Sequence, residues 1–190
     1  NGAKVTGIDL RKERLQVALE RKGNFEKQFG VKLDIQFIYA DLFDFVENNK
    51  NEYFDVIYME QAYHHIEPRN KLIPTLNKLI KEKGHIIISE SNALNPLIQI
   101  GLLKLRGFKT VKKIIGPDGK ERLYGNERVS RKSSLIKAFA KEGFVNMSGR
   151  YYRVLPNNIH LRSFTFLENL SSKLLPFIFT HYNLVFKQSK

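Results

Sequence analysis

The spacing of apolar residues changes along the first half of the chain and predicts alternating strands and helices. Apolar side chains recur at helical spacing from Lys12 to Phe29, and a second helical pattern covers residues 69–83, ahead of Gly84, a residue type that ends helices. Short apolar runs with the length of β-strands cover residues 4–10, 34–42, 54–60 and 85–91. Elements joined by such short connections predict a doubly wound α/β fold with a mostly parallel sheet.

The second half of the chain interrupts this alternation. Residues 93–128 combine an apolar stretch with a turn-forming sequence, Pro117-Asp118-Gly119, that predicts a hairpin. We interpret them as an insertion within one domain that covers residues 1–190. Ser130 is predicted to cap a helix over residues 131–142 that ends at Gly143. The remaining pattern predicts strands over 144–154 and 180–188, with a helix between them that breaks near Pro176.

Composition narrows the class of protein and the kinds of site. The 190 residues are 42% hydrophobic and 27% charged, which is typical of a globular protein, and they include no apolar run of about 20 residues and no signal-peptide pattern. We therefore expect a cytoplasmic protein. The absence of cysteine excludes disulfides, thiolate metal sites and cysteine nucleophiles. The net charge of +13 favours anionic partners, although a solvated lysine-rich surface explains it equally well.

Polar residues follow each predicted strand of the first half at the point where the strand ends. Ligands of such folds bind outside the carboxyl ends of parallel strands, so we expect these residues to meet in one crevice. They are Asp9, Asp41, Glu60 with Gln61, and Glu90 with Ser91. A carboxylate such as Asp9 suits a ribose, because its two oxygens can accept hydrogen bonds from two neighbouring hydroxyls. Nicotinamide cofactors use an acid in the same place, so this residue alone leaves the cofactor open.

Five stretches, in their order along the chain, resemble class I S-adenosylmethionine-dependent methyltransferases. They are VTGIDL, FIYADLFDF, FDVIYMEQAYHHIEP, LIKEKGHIIISE and YGNERVSRKSSLIKAFAKEGF. The resemblance spans nearly the whole chain. It implies a Rossmann-like sheet with an antiparallel C-terminal edge hairpin, and S-adenosyl-L-methionine as cofactor. Family members begin with a strand and a glycine-rich loop, which we expect to precede Asn1 in the complete protein.

The same resemblance implies which residues contact the cofactor. Asp9 resembles the family acid that accepts hydrogen bonds from the ribose hydroxyls, and Asp41 resembles the residue that binds the adenine amino group. Glu60 stands at the strand end that faces the methionine part of the cofactor. The predicted cofactor-binding residues are Asp9, Leu10, Asp41, Leu42, Glu60 and Gln61.

Two adjacent histidines, His64 and His65, are the candidate catalytic residues. The resemblance implies that they lie between cofactor and acceptor, where a histidine with a pKa of about 6.5 can act as a general base or orient the acceptor. Packing beneath the following helix is the alternative for either side chain. Adjacent histidines rarely bind one ion, and no third ligand follows at a suitable spacing, so we predict no metal site.

The insertion is where we expect the choice of acceptor to reside. It pairs an apolar face with basic side chains, namely Leu97, Ile98, Leu102 and Leu105 with Lys104, Arg106, Lys109, Lys112 and Lys113. A helix packed on the sheet is the first expectation, and a lid or a surface that contacts an anionic membrane is the alternative. The resemblance favours a small-molecule or lipid-like acceptor over nucleic acid. A nicotinamide-dependent oxidoreductase and a basic nucleic-acid-binding protein that retains the fold both stay open.

Overall fold

The computed structural model describes residues 2–49, 53–154 and 174–189. The chain divides into two compact units, the first formed by Asn1–Asn51 with Ile114–Arg122 and the second by Glu52–Lys113 with Leu123–Lys190. Across the described ranges, the helices are all too short or too polar to traverse a bilayer.

The first unit opens with the strand–helix–strand order that the apolar spacing predicts. Its elements are β1 (Val5–Asp9), α1 (Lys12–Phe29), β2 (Ile35–Tyr39) and α2 (Leu42–Asn48). Strands β1 and β2 are parallel and in register from Val5 opposite Ile35 to Asp9 opposite Tyr39. The apolar side chains of α1 are mostly exposed. Only Leu15 is buried, while Leu19, Phe25 and Phe29 are about half exposed among the described residues.

The second unit contains a four-stranded sheet. Its elements are β3 (Phe54–Glu60), α3 (Arg69–Leu79), β4 (Ile80–Ser91), α4 (Pro96–Arg106), α5 (Lys132–Lys141), β7 (Phe144–Tyr152) and β8 (His181–Gln188). The strand order is β3-β4-β8-β7. Strand β3 is parallel to β4, whereas β8 is antiparallel to both β4 and β7. This confirms the predicted antiparallel C-terminal edge. A separate hairpin pairs β5 (Val111–Ile115) with β6 (Glu121–Gly125).

The core of the second unit lies on one face of this sheet and fixes the position of β4. Ile86 and Ile88 of β4 are fully buried, as is Phe186 of β8. Phe139 of α5 stacks on Phe186 with ring centroids 4.1 Å apart and an interplanar angle of 9°. Glu90 follows Ile88 on the same face by strand alternation, so its side chain also enters the protein interior, where it is 1% exposed.

The predicted boundary between α3 and β4 is wrong by four residues. The helix ends at Leu79, and Ile80 already pairs with Phe54 of β3, where it is buried. Strand pairing and burial of a β-branched residue therefore override the helical spacing. Gly84 does not end the helix. It permits close approach of β3, because a Cβ there would lie 2.9 Å from the carbonyl oxygen of Asp55.

Two further expectations need correction. Helix α4 does not pack on a sheet within the described chain, because none of its residues is buried and Leu97 and Leu105 are about three-quarters exposed. Ser130 does not cap α5. The N-cap is Arg131, and the Ser130 hydroxyl instead accepts a hydrogen bond from the Arg69 guanidinium at 3.1 Å. The helix predicted ahead of Pro176 falls largely outside the described residues.

Candidate functional site

In the first unit, the two predicted cofactor acids follow neighbouring parallel strands. The backbone carbonyl of Asp9 accepts a hydrogen bond from Ala40, the residue before Asp41. The Asp9 carboxylate accepts a hydrogen bond from the Arg11 amide at 2.8 Å, and its second oxygen lies 3.8 Å from the Arg14 guanidinium. Its side chain is 28% exposed, so the carboxylate keeps acceptor positions open to a ligand.

Asp41 begins α2 as its N-cap, which gives it a structural role beside the predicted one. Its carboxylate accepts a hydrogen bond from the Phe43 amide at 2.7 Å, and the side chain is buried. Burial raises the pKa of Asp41, aided by the nearby Asp44 carboxylate and opposed by the Phe43 hydrogen bond. Leu42 opens the helix directly after it, and Leu10 directly follows β1; both are partly exposed.

The raised pKa of Asp41 leads to a prediction about stability. A carboxyl group with a raised native-state pKa costs stability when ionised, and the cost falls as the pH drops through that pKa. Asparagine caps helices as well as aspartate does. We expect Asp41→Asn to leave the free energy of unfolding at pH 7 unchanged or increased, and Asp41→Ala to lower it by about 1 kcal/mol. Urea denaturation at pH 7 and pH 4.5 tests this, and equal destabilisation by both variants at pH 7 would contradict it.

In the second unit, Glu60 and Gln61 stand at the end of β3 as predicted. The Glu60 carboxylate accepts a hydrogen bond from the Tyr58 hydroxyl at 2.9 Å. Gln61 adopts a left-handed conformation with φ of 50°, which is uncommon for a residue other than glycine and occurs often at functional sites. Its amide donates to the carbonyl of Ser89, and its side-chain oxygen accepts from the Ser91 hydroxyl at 2.8 Å. Convergence of the tips of both units on one crevice stays a prediction.

His64 forms a buried pair with Glu90. Its Nδ1 lies 2.5 Å from one carboxylate oxygen of Glu90, whose other oxygen accepts a hydrogen bond from the Tyr63 amide at 2.9 Å. A carboxylate can only accept, so Nδ1 of His64 carries the hydrogen, and in the neutral ring the lone pair is then on Nε2. The pair is the strongest chemical feature of the second unit, because it fixes both the tautomer and the ring orientation.

His65 is held by the end of strand β6. Its Nδ1 lies 2.8 Å from the carbonyl oxygen of Gly125, and its ring stacks on Tyr124 with centroids 4.7 Å apart. Both histidines belong to a short 3₁₀ turn, Tyr63–His65, which places their rings side by side with centroids 4.1 Å apart. Tyr124 and Gly125, which lie in the segment predicted to be an insertion, thus contribute directly to the surroundings of the candidate catalytic residues.

Glu127 completes this group of side chains. One of its carboxylate oxygens lies 3.4 Å from Nε2 of His64, and the other lies 3.7 Å from Nε2 of His65. The next residue, Arg128, pairs with the buried Glu67 at 2.8 Å, and its carbonyl accepts a hydrogen bond from Arg69 at 2.9 Å. These contacts anchor the segment that carries Glu127 to the start of α3.

Sequence reasoning did not assign a role to Glu90 or Glu127 beside the histidines. Glu90 is separated from His64 by 26 residues, and Glu127 by 63, so no local spacing links them. One signal was available for Glu90, since an acid that closes an isoleucine-rich buried strand requires a partner. No comparable signal marks Glu127.

Known proteins provide an independent comparison. Residues 1–133 match a protein family described as a methyltransferase domain. A ubiquinone biosynthesis O-methyltransferase of Vibrio atlanticus is 32% identical over 162 residues, which are 84% of this chain and 62% of that protein. A second protein of the same description, from Proteus mirabilis, is 31% identical over 94 residues, 48% of this chain and 34% of that protein. The chain thus spans less than two thirds of the length of these relatives.

Solved structures agree on the fold. A putative S-adenosylmethionine-dependent methyltransferase from Listeria monocytogenes aligns with 98% of this chain and 80% of its own at a TM-score of 0.61 and 13% identity. The N-methyltransferase NodS from Bradyrhizobium japonicum, bound to S-adenosyl-L-homocysteine, aligns with 98% of this chain and 67% of its own at a TM-score of 0.58 and 12% identity. The fold is the Rossmann-like fold of class I methyltransferases, and the chain belongs to the methyltransferase-domain family.

Proposed function

We propose that the protein is an S-adenosylmethionine-dependent methyltransferase that acts on a hydroxyl of a small-molecule or lipid-like acceptor. The observation that carries the proposal is the buried His64–Glu90 pair in a chain of this family. The oxygen acceptor is supported by the relative from Vibrio atlanticus, which is an O-methyltransferase of ubiquinone biosynthesis. EC 2.1.1.- describes the activity, and the cytoplasm is the proposed location.

The residues of the first unit fit the adenosine part of the cofactor. Asp9 keeps free acceptor positions on a partly exposed carboxylate, as two ribose hydroxyls require. Asp41 retains a second oxygen beyond the one that caps α2 and can accept from the adenine amino group, with Leu10 and Leu42 as apolar neighbours in the sequence. We assign Glu60 and Gln61 to the methionine part. When bound, S-adenosyl-L-methionine supplies a methyl group already activated on a sulfonium.

His64 is assigned to the acceptor hydroxyl. A hydroxyl must lose its proton before or during methylation, and a histidine whose Nε2 keeps its lone pair can assist that loss. Glu90 keeps the lone pair on Nε2 by accepting the hydrogen of Nδ1. Amine acceptors of low pKa need no such assistance, so the buried pair favours an oxygen acceptor. The ring of His65 lies beside that of His64, and we assign it to orienting the acceptor.

A transfer assay tests the proposal. The full-length protein is incubated with S-adenosyl-L-methionine and a panel of catechols, some carrying a lipid tail, together with matched amines. We expect S-adenosyl-L-homocysteine to accumulate with a catechol and mass spectrometry to find a methyl ether. Products from amines alone would contradict the oxygen acceptor. Reduction of NAD⁺ without methyl transfer would favour the oxidoreductase alternative.

A second proposal concerns a lipid-like acceptor, and it rests on the exposed face of α4 and the residues after it. Leu97, Leu105 and Phe108 are 75%, 74% and 90% exposed, and Lys104 and Lys109 adjoin them. Apolar side chains flanked by lysines are typical of segments that lie on anionic membranes. We propose that this surface contacts such a membrane and gives access to the acceptor.

Vesicle sedimentation checks the membrane contact. We expect the full-length protein to sediment with vesicles rich in anionic lipid, less so in high salt, and the double variant Leu105→Glu/Phe108→Glu to lose at least 10-fold in partitioning. Val17→Glu, at a half-exposed position of α1, is the matched control. Equal partitioning of both variants would contradict the contact, as would equal binding to neutral vesicles.

A further inference from the structure

Three side chains that can donate an electron pair to a metal lie close together in the second unit: His64, His65 and Glu127. Nε2 of His64 and Nε2 of His65 each face a different oxygen of the Glu127 carboxylate, at 3.4 Å and 3.7 Å. The three potential ligand atoms all lie within 4.8 Å of one another. None of the three is among the residues proposed to bind the cofactor, which are Asp9, Leu10, Asp41, Leu42, Glu60 and Gln61.

The hydrogen bond at Nδ1 of each imidazole ring determines whether Nε2, the atom that faces Glu127, carries a lone pair. Nδ1 of His64 donates to the Glu90 carboxylate, and Nδ1 of His65 donates to the carbonyl of Gly125. Because both partners can only accept, the neutral form of each ring has its lone pair on Nε2. Two lone pairs and a carboxylate therefore point towards one another, an arrangement that a shared cation stabilises.

Outer contacts of this kind are typical of histidines that bind a metal. A metal-binding histidine generally donates its second N–H to a carboxylate or a backbone carbonyl, which fixes the ring and strengthens the ligand. His64 has the first kind of partner and His65 has the second. In addition, Tyr124 stacks on His65 and restrains its ring.

The third donor is also held in place. Glu127 adopts a left-handed conformation with φ of 54°, a strained backbone state for a residue other than glycine. The next residue is tied down twice, since the Arg128 guanidinium pairs with Glu67 and the Arg128 carbonyl accepts from Arg69. Neighbouring contacts thus maintain a strained backbone at Glu127, whose side chain faces the two histidines. Such maintained strain is evidence that the orientation of the Glu127 carboxylate is functionally important.

We propose that His64, His65 and Glu127 bind a divalent transition-metal ion of the Zn²⁺ class. Two imidazoles and one carboxylate are a ligand set that zinc uses in catalytic sites, where a fourth position stays open. In a tetrahedral site with bonds of about 2.0–2.1 Å, ligand atoms lie about 3.3 Å apart. One Glu127 oxygen lies 3.4 Å from Nε2 of His64, the other lies 3.7 Å from Nε2 of His65, and one ligand atom from each residue can be chosen so that all three lie within 4.8 Å of one another. Mg²⁺ prefers oxygen ligands and octahedral geometry and fits this set poorly.

The ion would complete the acceptor side of the enzyme, and that part of the inference rests on the proposed function. Its open position would take the oxygen of the acceptor hydroxyl, with the hydroxyl proton released to solvent. With its Nε2 lone pair bound to the ion, His64 would assist loss of the hydroxyl proton by holding the ion, and would not take the proton itself. Metal binding itself requires only the described residues of the second unit.

Calorimetric titration of the metal-free full-length protein with Zn²⁺ tests the site. We expect one Zn²⁺ per chain, with Mg²⁺ bound at least 100-fold more weakly, and visible absorption typical of tetrahedral coordination when Co²⁺ is the probe. Glu127→Gln and His65→Asn are each expected to weaken Zn²⁺ binding at least 10-fold, and circular dichroism checks their folding. Glu20→Gln, on the exposed surface of α1, is the matched control and should bind as the unmodified protein does.

The outcomes separate the ion from the proposed function. Failure to bind Zn²⁺, or unchanged affinity in folded Glu127→Gln and His65→Asn, would overturn the metal site. The same metal-free sample is titrated with S-adenosyl-L-methionine. Cofactor binding without Zn²⁺ binding would remove the ion and leave the methyltransferase intact. Zn²⁺ binding without cofactor binding would support the metal site and contradict the proposed methyltransferase function.

Discussion

Replacing Glu90 by glutamine is expected to lower kcat of methyl transfer by about 10²- to 10⁴-fold while the protein stays folded. Glutamine matches glutamate in volume but offers one acceptor and one donor. Its oxygen can accept from the Tyr63 amide, and its NH₂ group can then donate to Nδ1 of His64. His64 satisfies this arrangement only by moving its hydrogen to Nε2. The Nε2 lone pair, which we assign to the acceptor hydroxyl, is lost, although the hydrogen bonds from the Tyr63 amide and between residue 90 and His64 are kept.

Nitrogen NMR of labelled histidine separates this explanation from simple misfolding. The unmodified protein should show the Nδ1–H tautomer of His64, and Glu90→Gln should show the Nε2–H tautomer at a similar melting temperature. Glu26→Gln is the matched control, because Glu26 also accepts a backbone hydrogen bond, from Leu33, outside the site. Full activity in Glu90→Gln, or an unchanged tautomer, would show that the pair does not control His64.

Gly125→Ala is expected to destabilise the protein by about 1–3 kcal/mol and to reduce activity at least 10-fold. A Cβ at this position would overlap the carbonyl oxygen of His64 and lie 3.0 Å from Cα of His65. These are backbone atoms of the 3₁₀ turn and cannot rotate aside. The turn or the end of β6 must move, and the Gly125 carbonyl that holds His65 moves with it.

The control for this substitution is Gly23→Ala. Gly23 lies in the exposed middle of α1, where a Cβ would meet no atom within 4 Å. Alanine there should increase the free energy of unfolding by about 0.5–1 kcal/mol, because glycine is a poor helix former. Melting curves and turnover of both variants are compared. Gly125→Ala with unaltered stability and turnover would mean that the approach of β6 to the turn is unimportant for the site.

The elements that sequence predicted well are those where local spacing and burial agree. Helix α1 begins and ends where the helical spacing does, and β3 has the predicted bounds. Each ends before a residue in the left-handed conformation, Gly30 after α1 and Gln61 after β3. The fold class could be predicted because these strands and helices alternate along the chain and are joined by short connections.

The failures occur where tertiary contacts override local preference. Ile80 continues the spacing of α3, yet pairing with Phe54 draws it into β4. Ser130 has the side chain of an N-cap, but the Arg69 guanidinium, 61 residues away, engages its hydroxyl. A single sequence does not reveal such a distant partner.

The candidate site divides in the same way. The histidines were identified because they adjoin a strand end in a recognisable stretch, whereas their partners Glu90 and Glu127 depend on the folded chain. The prediction of no metal site assumed that adjacent histidines diverge and that a third ligand follows nearby. The 3₁₀ turn brings the rings together, and Glu127 approaches from the far side of the insertion. The sequence-based prediction of no metal site therefore conflicts with the proposed Zn²⁺ site, and Zn²⁺ titration decides between them.

The most direct test of the central claim is calorimetric titration of the full-length protein with S-adenosyl-L-methionine and, separately, with NAD⁺. We predict one S-adenosyl-L-methionine per chain, no measurable NAD⁺ binding, and cofactor affinity reduced at least 10-fold in Asp9→Ala, because hydrogen bonds to a charged group are lost. Asp55→Ala, at an exposed acid of β3, should bind normally. Absence of S-adenosyl-L-methionine binding, or equal affinity in the Asp9 variant, would contradict the assignment of Asp9 and, in the first case, of the enzyme.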